Sequence, residues 1–185
     1  MTDVPATYRR RLHERALVRY GYITTRDAAA LGIPVAGLHM LVQRGGLTRV
    51  GHGLYRFDDV PVTGRDGYME AVLLVGDHAF LVADAVLALH DLAQVNPTRR
   101  RVATTRRVRK ALPPTIEVVW PTTVGESERT AHEGIPCSTV ARALTDCIGI
   151  VMRDRLLIAA HDAADRGLLG HGQRAAVLAR LEREG

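Results

Sequence analysis

The chain has 185 residues, 46% of them apolar, and a formal net charge of +5. That length suits one ordinary domain or two small ones, each with a buried core, and no apolar run is long enough to span a bilayer. The opening Met1-Thr2-Asp3-Val4-Pro5 lacks the charged-then-apolar layout of a signal peptide, so a soluble cytoplasmic protein is expected.

Cys137 and Cys147 are the only cysteines. Their separation fits neither a redox nor a zinc motif, and two buried thiols are expected rather than a disulfide. Charge is unevenly placed. Residues 1–57 hold nine Arg against Asp3, Glu14 and Asp27, a local +6. Residues 58–96 are acidic, and residues 97–110 carry six Arg and Lys110 with no acid. Two basic blocks separated by an acidic stretch suggest two surfaces able to meet phosphate.

In chain order, Thr7 to Tyr20 reads as a helix with Leu12, Ala16, Leu17 and Tyr20 on one face. Gly21 stands at the C-cap position, and Tyr22-Ile23 is a short extended piece. Thr24 can cap a second helix, with Asp27 completing a capping box; Ala28, Ala29 and Leu31 are its inner face. Gly32 ends it. Pro34 opens a third helix that runs to about Arg44, with Leu38, Leu41 and Val42 inward and Gly45-Gly46 as the stop. Two helices joined by a few residues around Gly32 form a helix-turn-helix. Leu47 to Val50 and Leu54 to Phe57 flank Gly51-His52-Gly53, a hairpin signal. Three helices and a basic hairpin predict a winged helix-turn-helix over residues 1–60.

That geometry assigns chemistry. The third helix would enter the major groove of duplex DNA and offer Val35, Ala36, His39, Met40 and Gln43 to base edges. Gln43 suits adenine, His39 a guanine edge, and Val35 or Ala36 a thymine methyl. Arg26 and Arg44 would meet phosphates. Arg49, His52 and Arg56 on the wing would hold the backbone or enter the minor groove.

Asp58 to Gly64 reads as a linker. Helices are expected at 66–75, 82–92, from Ser138 or Thr139 through Cys147, at 153–166 and at 172–184. Strands are expected at 101–105, at 115–120 and near 135–138. The fold class is therefore α+β, with the winged helix followed by a mixed α/β domain over 61–185. Arg99, Arg100, Arg101, Arg106, Arg107, Arg109 and Lys110 form a candidate second basic surface; a plain solvated loop is the alternative.

Catalysis finds little support. No lysine follows a glycine-rich loop, and Gly-x-Ser-x-Gly is absent. Glu117 lies on a strand, but Val119 stands where a nuclease centre needs lysine. His161, Asp165 and His171 read as helix surface sooner than as a metal site. No enzyme activity, cofactor or metal is expected.

Gly21-Tyr22-Ile23-Thr24-Thr25, Ala28-Ala29-Ala30-Leu31-Gly32-Ile33 and Leu41 through Tyr55 resemble the winged helix of the AbiEi antitoxin family. Ala88-Leu89-His90-Asp91-Leu92 and Gly134 through Cys147 are similar to segments that follow it in relatives. The resemblance implies a repressor that binds repeats in its own promoter. It also implies an antagonist of a nucleotidyltransferase-like toxin, with direct contact between the two left open. Some relatives carry a nuclease-like domain after these segments; none is expected here. The alternatives are a stand-alone winged-helix regulator with a sensor or interaction domain, an enzyme-blocking interaction protein, and a nuclease remnant.

Overall fold

The computed structural model describes residues 4–183, in two compact units, one running to Leu74 and the other beginning at Val75. The first unit contains helix α1 (Val4–Leu17), strand β1 (Tyr22–Thr24), helices α2 (Thr25–Ala30) and α3 (Val35–Gln43), and strands β2 (Leu47–Gly51) and β3 (Leu54–Phe57). Helix α4 (Asp66–Val75) follows. The strands form an antiparallel sheet in the order β1-β3-β2.

Each turn has a local cause. Helix α1 stops because Tyr20 and Gly21 take positive φ, letting the Gly21 N–H return to the Ala16 carbonyl at 2.9 Å. Only glycine fits there: φ is +85, and an added Cβ would stand 2.9 Å from Val60 Cβ. The early stop leaves Leu17 55% exposed, outside the inward face that its spacing suggested. Ala29 is likewise exposed, whereas Ala28 is buried. Thr24 and Asp27 make the expected capping box. In the hairpin, β2 reaches Gly51, and a bulge between Arg49 and Gly51 leaves His52-Gly53 as the turn.

Leu12, Ile23, Ile33, Leu38, Leu47 and Phe57 meet in one buried cluster. Helix α3 contributes Leu38 and Leu41 to the inside, so its other face is turned outward.

The second unit is a five-stranded mixed sheet in the order β6-β5-β4-β8-β7. Its strands are β4 (Ala79–Leu81), β5 (Arg100–Thr104), β6 (Ile116–Val119), β7 (Arg129–His132) and β8 (Ile135–Ser138). Helices α5 (Asp84–Leu89), α6 (Val140–Asp146), α7 (Arg153–Asp165) and α8 (His171–Arg183) complete it. Helix α5 packs on β5 and α6, and α6 on α7 and α8. The central strand β4 lies where the sequence reading has only the approach to a helix. A fully buried three-residue strand shows no alternation to betray it. Strand β7 also differs from the sequence expectation, because Arg-Thr-Ala-His carries no apolar pattern.

Cys137 and Cys147 are free and fully buried. Burial pushes the Cys137 thiol up to about 11. Burial, with Asp84 and Asp146 nearby, pushes Cys147 up to about 12. An unfolded thiol ionises near pH ~8.5. The folded chain therefore binds more protons above that pH, and stability that is complete below about pH 8.5 falls as pH rises towards the folded values. The urea midpoint of the second unit is expected to drop between pH 8 and pH 11. Thiol reagent at pH 8 is expected to label it only on unfolding. Rapid labelling of the native protein would contradict the burial argument.

Candidate nucleic-acid interface

The outward stripe of α3 is Val35, Ala36, His39 and Gln43, all exposed, with Met40 half-buried beside them. Val35, His39 and Gln43 repeat every four residues and so share one line down the helix. His39, Val42, Gln43, Arg49 and Tyr55 line an open hollow between α3 and the β2–β3 hairpin. Tyr55 is 2% exposed and is the rigid floor. Arg49 thus stands beside His39 and Gln43, with its Nε donating to the Gly51 carbonyl at 3.4 Å. The geometry brings together His39, Gln43 and Arg49, which the sequence had assigned to two separate jobs.

Of the expected phosphate contacts, Arg26, Arg44 and His52 are exposed. Arg56 is not available for that work. Its guanidinium donates to the carbonyls of Phe57, Val60 and Pro61 and to Asp66 at 3.0 Å, and its side chain is 14% exposed. It ties the wing to the segment that follows. The assignment of Arg56 to DNA backbone is therefore corrected: a guanidinium with four internal acceptors has little left to offer a phosphate.

Much of the arginine excess of α1 is also engaged. Arg9 lies 2.6 Å from Asp59, and its hydrogen bond holds the Asp59 carboxyl below the ordinary carboxylate range. Arg11 donates to the Leu31 carbonyl. Arg15 and Arg19 both reach Asp27. The local charge of residues 1–57 therefore overstates the cations facing outward on α2, α3 and the wing.

In the second basic block, Arg101 is corrected too. It bonds Asp84 at 2.6 Å and Glu117 at 3.2 Å, an internal cross-strand bridge. Arg100 and Lys110 are half-buried, while Arg99, Arg106, Arg107 and Arg109 are exposed. Among the described residues, no group of three or more His, Cys, Asp or Glu side chains could hold a metal ion.

Three short helices, a sheet of three strands and an outward third helix beside a hairpin define a winged helix-turn-helix, the architecture of DNA-binding regulators. Residues 10–57 match the family described as transcriptional regulator, AbiEi antitoxin. The matched segment runs from α1 to the end of β3 and includes every element of the hollow, which supports a DNA-binding antitoxin role in general terms. The description is that of a regulator and names no catalysis. Among curated proteins none matches the chain. Among the described residues, no helix is long and apolar enough to cross a membrane.

Proposed function

We propose that the chain is a DNA-binding antitoxin that represses its own operon and counteracts a nucleotidyltransferase-like toxin. In this reading, residues 1–60 are the DNA reader and residues 61–185 a regulatory and antitoxin domain. The observation that carries it is the hollow where His39 and Gln43 of α3 meet Arg49 of the wing, inside the segment that matches the antitoxin regulators. Exposed polar groups on a helix held against its core by Leu38 and Leu41 suit the major groove. Arg26, Arg44 and Arg49 suit the flanking phosphates. The toxin is countered functionally; direct contact is not required by this reading. A stand-alone winged-helix regulator would share the reader but not the protection.

The test is binding of the full chain to its own promoter across a salt series. Three outward arginines predict a slope of log affinity against log salt of about −3 per subunit, not the −8 that counting every arginine of the block would give. Gln43→Ala is expected to relax discrimination at one or two base pairs by roughly 1–3 kcal/mol. Arg49→Ala should weaken all duplexes and also blunt preference next to the Gln43 contact. Equal affinity for promoter and random duplex would rule out a specific repressor. Co-expression with a nucleotidyltransferase encoded beside it separates antitoxin from plain regulator: rescue of growth is the expected result.

A further inference from the structure

The second unit carries one surface that the DNA-reading proposal does not use. Strand β6 is an edge strand, paired only to β5, with Ala103 opposite Val119 as the last matched residues. One step further come Thr104 and Trp120. Val119 packs inward against the cluster of Phe80, Val82 and Ala103, so by strand alternation Trp120 turns to the opposite side. It is the only tryptophan in the chain, and 48% of it is exposed. No ring or cation among the described residues covers it. At the same end of the sheet the chain leaves β5, and the Arg106 N–H donates back to Thr104 Oγ1 at 3.2 Å. That bond ties the start of the loop back to the end of β5. Arg106, Arg107 and Arg109 follow, all exposed, with no acid among the described residues paired to them.

A single exposed apolar side chain is ordinary, and so is a run of exposed charge. Together at one sheet edge they are not. An exposed indole one residue past β6, with three exposed arginines in the loop that leaves β5 at the same end of the sheet, offers a stacking face and phosphate contacts, which is the chemistry of single-stranded nucleic acid. In a duplex the base faces are covered by their neighbours and could not reach the indole. An acidic peptide could meet the arginines but would leave the indole unmatched. We propose that this edge binds single-stranded nucleic acid, in the cell chiefly RNA, whose unpaired loops and ends present open base faces. One base stacks on Trp120, and Arg106, Arg107 and Arg109 hold the adjacent phosphates. The inference is independent of the promoter-binding reading, because the reader contains no tryptophan.

That single tryptophan makes the test local. Emission of the full chain is titrated with a short unstructured RNA, the same sequence as single-stranded DNA, its duplex, and base-free polyphosphate. Both single strands are expected to quench the emission, with a salt slope of about −2, three phosphates at about 0.7 each. Arg106→Ala/Arg107→Ala/Arg109→Ala should weaken single-strand binding about tenfold or more, with promoter duplex binding unchanged. Trp120→Ala, followed by anisotropy of end-labelled RNA, should lose roughly 5- to 100-fold, and Trp120→Phe should retain most of the affinity. Unchanged thermal melting of each variant shows that the unit remains folded. The proposal is overturned if emission does not change on adding RNA, if polyphosphate quenches equally well, or if Trp120→Ala binds labelled RNA as tightly as the parent.

Discussion

Arg56→Ala is expected to destabilise the N-terminal unit by about 3–5 kcal/mol, the usual cost of removing one partner from a buried ion pair, while leaving the salt slope of promoter binding unchanged. The cause lies in what the side chain leaves behind. Asp66 is 8% exposed in its side chain. Burial alone would raise its carboxyl, yet the hydrogen bonds from Thr63 and from Arg56 outweigh this and hold it below the ordinary range. The carbonyls of Val60 and Pro61 lose a donor as well. The guanidinium also covers the ring of Tyr22 at 5.7 Å, a further cation–π contribution. For a unit of this size the melting temperature should fall on the order of 15 °C. Arg56→Lys should recover only part of it, since an ammonium cannot span the same acceptors. The pH dependence has a definite sign. A carboxyl depressed in the folded state contributes stability that is present above about pH 4 and fades as pH falls, so the variant should lose less than the parent on acidification. A variant that melts like the parent but loses about 0.9 of the salt slope would restore Arg56 to the DNA backbone.

The contrast between Arg49 and Arg56 shows where sequence reading works. The third helix was legible because Leu38 and Leu41 fix an inner face and so define Val35, His39 and Gln43 as the outer one. The hairpin was legible because glycines frame its turn. The fate of an arginine was not. In the sequence Arg49, Arg56 and Arg101 look alike, and only the fold brings Asp66 to Arg56, Asp84 and Glu117 to Arg101 and, among the described residues, no acid to Arg49. Ion pairs across tens of residues leave no local trace. The same holds for Trp120, whose outward turn is set by how Val119 packs. It holds also for β4, whose three buried residues have neither the length nor the period to be recognised. Charge counting therefore overestimated the outward cations of the reader and missed the one indole that gives the second basic block a distinct chemistry.

Asp27 should be the other large single-site effect, and it acts through α2, which packs against α3. It is 6% exposed and accepts five hydrogen bonds from four donor groups. The Thr24 N–H reaches Oδ2 at 3.0 Å and the Thr24 hydroxyl at 2.6 Å. Arg19 Nη1 reaches both oxygens at 3.0 and 2.9 Å, and Arg15 Nε adds a longer bond at 3.4 Å. In return, the Asp27 N–H donates to Thr24 Oγ1. Helix α2 has only six residues, too few to be stable by propagation alone, so its position depends on this cap and on the bridge to α1. Loss of a capping box costs about 1 kcal/mol, and loss of the charge-assisted bonds to Arg19 adds about 1.5–3. Asp27→Ala is therefore expected to cost about 2.5–4 kcal/mol and to weaken promoter binding by loosening α3, with no change in which bases are preferred. Asp27→Asn keeps an acceptor for Thr24 but removes the charge, and should cost roughly half as much. Thr24→Ala should cost about 1 kcal/mol. A double-mutant cycle of Arg19→Ala with Asp27→Ala isolates the bridge, and a coupling of about 1–3 kcal/mol is expected for groups in one such network. Additive losses in that cycle would mean that the cap alone holds α2. An Asp27→Ala protein that melts with the parent would mean that α2 is positioned by its packing through Ala28 rather than by its polar start.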